Sequence, residues 1–337
     1  MSGRGWVLLP DLPKVFDEVV NVATAPVRLV AESGVGQRAV GIANGVFGEN
    51  ADARGGTLPA AMTVRVEGRP VEVTGDAIAA EFPRASGRVV VFVHGLVETE
   101  RSWFHQPAPE KSRTGTDFGS RLAVDLPSTP VYLRYNTGRR VSDNGNELVG
   151  LLSDLVDAWP VPVTDLVLVG HSMGGLVVRS AVLQAHEQGR AWLSRVIKVV
   201  CLGTPHTGAH LERVAAWAGS VLDRFIITAP LARLLALRSD GIKDLALGHV
   251  HRSQPTGSAP KTAPTPPPGV RQCFVFVTLA RSQTSLSARL IGDLLVTPAS
   301  AGDRTQTADH RWLGGLHHFD LLNHDTVYDS VLDWLRS

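Results

Sequence analysis

The chain has 337 residues, 44% of them hydrophobic, with 33 basic against 32 acidic side chains and a formal net charge of +1. That composition supplies ample core for one large α/β domain carrying insertions, and the balanced charge, with no Lys/Arg stripe, excludes the footprint of a nucleic-acid or anionic-membrane binder. The N-terminal run Met1 to Pro10 is too short in apolar residues for a secretory signal and no stretch reaches transmembrane length, so the expected location is the cytoplasm.

In chain order, residues 1–61 read as an N-terminal helical extension. Val15, Phe16, Val19, Val20 and Val22, then Val27, Leu29 and Val30, and later Val40, Ile42, Val46 and Phe47 suit core packing or a dimer helix; the basic face that would favour an interfacial membrane helix is thin. Met62 to Val66 and Val71 to Val73 form an antiparallel hairpin around Glu67-Gly68-Arg69-Pro70. Strands follow at Val89 to Val93, Pro130 to Arg134, Leu166 to Val169, Val196 to Leu202 and Cys273 to Leu279, and helices near 118–125, 143–159, 173–189 and 324–336. This alternation predicts a mostly parallel central sheet flanked by helices over residues 62–337. After Leu202 the chain does not return to the sheet until about residue 271, far longer than an ordinary connection. The excursion at about 208–270 carries Leu211, Val214, Trp217, Val221, Leu222 and Phe225 at helical spacing and fits a lid; its tail, 254–269, holds six prolines and reads as a loop. The two cysteines, Cys201 and Cys273, fall inside buried strands and read as small core hydrophobes.

The most informative run is Leu166-Val-Leu-Val-Gly-His-Ser172-Met-Gly-Gly175-Leu-Val-Val-Arg179, a strand, a sharp turn and a helix with serine at the apex. The bare Gly-x-Ser-x-Gly pattern would arise by chance about 0.2 times in such a chain, so the flanking strand and helix carry the assignment. Gly170 and Gly174 leave room for Ser172 in a strained backbone, and Gly175 lets the helix sit close. A serine hydroxyl is a poor nucleophile, so it needs a base and oxyanion donors. The strand Arg88 to Val93 ends in His94-Gly95-Leu96, where the amides of Leu96 and of Met173 are placed as donors; His94 orients that loop. Gly314-Gly-Leu-His317-His318-Phe-Asp-Leu-Leu-Asn-His324 offers three histidines. His318 is the expected base because it precedes the apolar anchor Phe319, Leu321 and Leu322; His317 is its rival, and His324 reads as a cap. The expected acid is Asp293, which follows Gly292 in an apolar setting where an unpaired carboxylate is costly, with Asp303, Asp309 and Asp320 as alternatives. Trp103, Phe104, Trp217 and Leu222, with His94, are candidates for the substrate pocket. No metal or cofactor is called for by this set.

Gly-His-Ser-Met-Gly-Gly, His-Gly-Leu, Gly-Thr-Pro-His-x-Gly and Gly-Asp-x-x-Val occur in that order, and over about 88–337 the chain resembles serine lipases and esterases of the α/β-hydrolase superfamily. It is similar to bacterial lipases and to the inositol-deacylase-like lipase domain, and Leu133-Arg-Tyr-Asn-Thr-Gly138, Ser142-Asp-Asn-Gly145 and the His318 block resemble actinobacterial members. The resemblance implies the α/β-hydrolase fold and an acyl-enzyme carried by Ser172, Asp293 and His318, with Leu96 and Met173 as oxyanion donors. Bacterial lipases of this branch have Gly after the acid, where Leu294 stands here, which points away from an extracellular triglyceride lipase. The expected partner is a small-molecule or lipid ester, with room for peripheral lipid contact. An acyltransferase with the same triad and a non-catalytic lipid-binding protein are the alternative readings.

Overall fold

The computed structural model describes residues 61–104, 117–208, 240–251, 265–280 and 308–337. β1 (Thr63–Val66) and β2 (Arg69–Val71) pair antiparallel through Glu67 and Gly68, whose φ of 51° and 82° match the two positive-φ positions of a tight hairpin turn. α1 (Gly75–Glu81) is capped by the Thr74 side chain, which accepts from the Ala77 N–H. Then come β3 (Arg88–Val93), a 3₁₀ turn (Glu100–Phe104), α2 (Phe118–Asp125) capped by Asp117, β4 (Thr129–Arg134) and α3 (Val141–Ala158). β5 (Asp165–His171) runs into α4 (Met173–Glu187), followed by β6 (Val196–Leu202), α5 (Asp240–Leu247), β7 (Arg271–Thr278) and β8 (Asp309–Gly314). A 3₁₀ turn (His318–Leu322) and α6 (Asp325–Arg336) close the chain.

The strands form one eight-stranded sheet in the order β2-β1-β4-β3-β5-β6-β7-β8. β1 is antiparallel to β2 and β4, and every pairing from β4 to β8 is parallel. The near-continuous apolar strands are explained by burial on both faces. β5 sends Leu166 and Leu168 to one core with residues of α1, α3 and α4, and Val167 and Val169 to a second core with residues of α2 and α6. Alternation of the same kind places Val91 and Val93 of β3 on the first face and Val90 and Phe92 on the second.

The sequence misses β8, α1 and α5. β8 is an edge strand, its six residues Asp309 to Gly314 exposed or half-buried, so it lacks an apolar signature. α5 falls inside the expected lid segment and packs on the start of α3, where Asp244 Oδ2 accepts from the Val141 N–H at 3.0 Å. Residues 209–239 of that segment, including Trp217 and Leu222, its residues 252–264 and the extension 1–60 lie outside the described residues, as does Asp293. Among the described residues no helix is long and apolar enough to cross a membrane.

Candidate active site

Parallel strands ending at one edge of a sheet bring their following loops together, and the site is assembled there. β5 stops at His171, and Ser172 takes φ 52° and ψ −121° before α4 begins at Met173. A non-glycine residue in this region stores about 1–3 kcal/mol of strain and persists only where its surroundings hold it. Here the Ser172 N–H donates to Leu202 O at 2.8 Å, continuing the β5–β6 ladder, and the Gly175 N–H donates to Ser172 O at 3.1 Å. The glycines permit the turn sterically. A Cβ on Gly170 would stand 2.5 Å from Gly175 Cα and 2.6 Å from Gly174 C, one on Gly174 would collide with Val93 O and His94 O, and one on Gly175 with Thr204 Oγ1. Ser172 itself is half-buried.

The loop after β3 faces the elbow. A Cβ on Gly95 would lie 3.1 Å from Ser172 Cβ and 3.1 Å from His171 Nδ1. Gly95 to Glu98 close a turn in which the Glu98 N–H donates to Gly95 O at 3.3 Å, and Val97 has φ 60°. Type II turns put glycine at this position, and a β-branched residue there is strained. Among the described residues neither the Leu96 nor the Met173 N–H has an acceptor. His94 lies buried beneath this loop. Its Nδ1 donates to Gly95 O at 2.9 Å, its Nε2 accepts from the Tyr135 N–H at 3.4 Å, and its ring stacks on Tyr135 at 4.5 Å. Burial pushes its pKa down to about 4, so the ring is neutral in the folded protein.

The loop after β8 brings in the histidines. The Gly315 and Leu316 N–H groups donate to Thr278 O at 2.7 and 3.0 Å, anchoring the loop to the end of β7. The His318 ring is buried, 4.8 Å from the His171 ring and against Gly203. Gly203 follows the strand residue that holds Ser172, which ties His318 to the same corner. His317 occupies the N-cap of the 3₁₀ turn, with its Nε2 3.4 Å from Asp320 Oδ1, and His324 caps α6 by accepting from the Thr326 N–H at 3.1 Å. Of the alternative acids, Asp309 stands at the far, N-terminal end of β8 and accepts from Trp334 Nε1 at 2.7 Å, and Asp320 accepts from the His317 N–H at 3.0 Å; Asp303 lies outside the described residues.

Of the expected pocket residues, Trp103 is wholly buried. Its ring meets Phe92, Phe118 and His171 edge-on at 5.0, 6.5 and 6.3 Å, so it supports His171 from within the core instead of presenting a surface to solvent. Phe104 is 43% exposed and tilts against Tyr132 at 4.6 Å. Phe319, beside His318, is also exposed.

Two features have no counterpart in the sequence reading. Glu98 Oε2 accepts from the Gly95 N–H at 2.9 Å and from His171 Nδ1 at 3.2 Å, and His171 Nε2 lies 3.4 Å from His318 O. Burial alone would raise the Glu98 carboxyl, yet the charge and hydrogen bond of His171, with the Gly95 N–H, bring it net below the usual carboxylate range. On the other side of the elbow, Arg179 of α4 donates to His206 Nδ1 at 2.8 Å. Burial and the Arg179 charge push His206 well below its ordinary value and keep it neutral. Among the described residues no group of three or more His, Cys, Asp or Glu side chains converges to hold a metal ion.

Residues 84–217 match the model of the PGAP1-like alpha/beta domain. No curated protein matches the sequence. Among solved structures, the mature lipase BlEst2 of Bacillus licheniformis is 20% identical with a TM-score of 0.50, over 74% of this chain and 91% of the lipase. The naproxen esterase of Bacillus subtilis is 13% identical with a TM-score of 0.42, over 75% of this chain and 84% of that one. An esterase of Pyrobaculum calidifontis is 18% identical with a TM-score of 0.41, over 76% and 77%. The parallel sheet with its antiparallel opening strands, the flanking helices and the likeness to the Bacillus licheniformis lipase together establish that the chain has the α/β-hydrolase fold.

Proposed function

We propose that the protein is a serine carboxylic-ester hydrolase that works through an acyl-enzyme on Ser172 and accepts apolar acyl esters. The observation that carries this reading is the Ser172 backbone, φ 52° and ψ −121° between β5 and α4, because such strain is retained where it serves a purpose, and a serine at the apex of a strand-to-helix turn of this kind is placed to act as a nucleophile. In the proposed reaction Ser172 Oγ attacks the ester carbonyl while His318 takes its proton. The tetrahedral oxyanion is held by the Leu96 and Met173 N–H groups. His318 then returns the proton to the departing alcohol, and water hydrolyses the acyl-enzyme by the same steps in reverse order. Asp293 is the proposed acid that orients His318. The excursion at about 208–270, with Trp217 and Leu222, is the proposed cover over the acyl site, where each buried methylene contributes about 0.8 kcal/mol.

The test is a chain-length series of p-nitrophenyl esters with Ser172→Ala as control, alongside labelling by a fluorophosphonate. The expected outcome is label on Ser172 alone, hydrolysis rising from acetyl to medium-chain esters, and loss of activity by several orders of magnitude in Ser172→Ala with its fold intact. A Ser172→Ala protein that hydrolyses nearly as fast as wild type would sink the proposal, and equal turnover of acetyl and octanoyl esters would remove the apolar acyl site from it.

A further inference from the structure

We infer that Glu98 and His171 form a clasp that positions the oxyanion turn and the His318 loop on either side of Ser172. The inference rests on the proposed role of Ser172 as nucleophile and goes beyond it, since neither residue belongs to the triad or donates to the oxyanion. A single carboxylate oxygen, Glu98 Oε2, takes hydrogen bonds from the first residue of the turn, Gly95, and from the ring of the residue before the nucleophile, His171. The other ring nitrogen of His171 faces the backbone carbonyl of His318 at 3.4 Å. Each His171 ring nitrogen thus faces an oxygen that can accept a hydrogen bond. Trp103 packs edge-on against the same ring, and its carbonyl accepts from Asn323 Nδ2 at 2.9 Å, a second tie between the clasp and the loop that carries His318.

The clasp has work to do because the turn it closes is strained. Val97 sits at φ 60°, a conformation that a β-branched residue avoids, and relaxation of that residue would rotate the Leu96–Val97 and Val97–Glu98 peptide units on either side of it, loosening the Glu98 N–H from Gly95 O and so the hold on the adjoining Gly95–Leu96 unit, which bears the Leu96 N–H. Among the described residues four bonds hold the turn: Glu98 N–H to Gly95 O, Gly95 N–H to Glu98 Oε2, His94 Nδ1–H to Gly95 O at 2.9 Å, and Val97 N–H to Thr137 Oγ1 at 3.3 Å. Two of the four belong to Glu98. Glu98 and His171 are therefore positioning residues, acting on the oxyanion through Leu96 and on the base through the His318 backbone.

The experiment compares Glu98→Ala, Glu98→Gln and each of them combined with Val97→Gly, using a p-nitrophenyl ester and active enzyme counted by fluorophosphonate titration. Glu98→Ala should lose roughly 10- to 100-fold in kcat at nearly constant KM, because a displaced oxyanion donor is felt in the transition state and hardly in substrate binding. Glu98→Gln should retain more of the rate, since one amide oxygen can accept both bonds. Val97→Gly should restore kcat in both backgrounds, because glycine adopts the positive φ unaided. If Glu98→Ala does not fold, the Glu98→Gln pair carries the same comparison. Variants that lose thermal stability while keeping wild-type kcat would overturn the clasp, and so would a Glu98→Gln loss that Val97→Gly does not repair. Wild-type protein that neither takes the fluorophosphonate label nor hydrolyses any ester would instead overturn the nucleophile, and the clasp with it.

Discussion

Replacing Gly203 by alanine separates backbone strain from displacement of the histidine. Gly203 has φ 61°, and a Cβ there would stand 2.5 Å from Leu321 Cδ1, 2.9 Å from His318 Cε1 and 3.1 Å from His318 Nδ1. Gly189 supplies the control, with φ 63° and nothing within 4 Å of its Cβ. Alanine at either position carries the left-handed penalty of about 1–2 kcal/mol, and Gly189→Ala should show that loss of stability with full kcat. At position 203 the neighbours must also move. Leu321 Cδ1 has to retreat by about 0.9 Å and the His318 ring by about 0.5 Å to reach ordinary van der Waals contact, an overpacking that adds about 1–3 kcal/mol. A base shifted by a fraction of an ångström to one ångström loses catalytic geometry worth up to about 10²-fold in rate. Denaturant midpoints for the two variants, with kcat and KM on a p-nitrophenyl ester well below the unfolding transition, make the comparison. Gly203→Ala with wild-type kcat would refute the placement of His318 as the base, and equal loss of activity in Gly189→Ala would show that backbone strain alone is being read.

Acid stability should carry the signature of His94. Its folded pKa of about 4 lies below the roughly 6.5 of an unfolded chain, so the unfolded state takes up a proton that the native state refuses, and stability falls as pH drops from about 6.5 toward 4, by at most about 3 kcal/mol. His94→Gln should therefore be less stable at pH 7 and show a slope of unfolding free energy against pH shallower by one proton over that window; an unchanged slope would contradict the buried neutral ring. The thiols of Cys201 and Cys273 are both buried, and burial pushes each up to about 12. Neither should react with Ellman's reagent in the native protein at pH 8, and both should react in denaturant; rapid native labelling would show that the strands open far more readily than their packing implies.

What the sequence made legible followed its periodicity. β3, β5 and β6 are buried on both faces and read as continuous apolar runs, and α2, α4 and α6 fall where helical spacing put them, within a residue or two. β8 was invisible for the opposite reason: Asp309, His310 and Arg311 lie toward solvent at the sheet edge, so selection for a buried face leaves no mark on them. The elbow was legible because a single local conformation dictates its glycines, and each of Gly170, Gly174 and Gly175 meets a neighbour where a Cβ would stand. A histidine near the C-terminus could be counted from the chain, but choosing among His317, His318 and His324 depends on side-chain direction. The structure turns His317 to Asp320 and gives His324 to the first turn of α6.

Glu98 shows where local pattern stops carrying information. Its spacing to Gly95 is that of an ordinary turn, and a carboxylate three residues after a glycine is most simply a solvated side chain. Its meaning arises only when β3 and β5 pair in parallel with Val93 opposite Gly170, which brings the turn that follows one strand against the last residue of the other. That register is set by the apolar faces of both strands, far from any chemistry, because a slip by one residue would exchange the two cores. The same packing that buries Val91 and Leu168 thus aligns Glu98 with His171, and a sheet that aligned them less rigidly would leave the strained Val97 free to relax. Rigidity in the strands is in this sense a requirement of the turn, since a buried carboxylate repays its desolvation only where its donors are fixed.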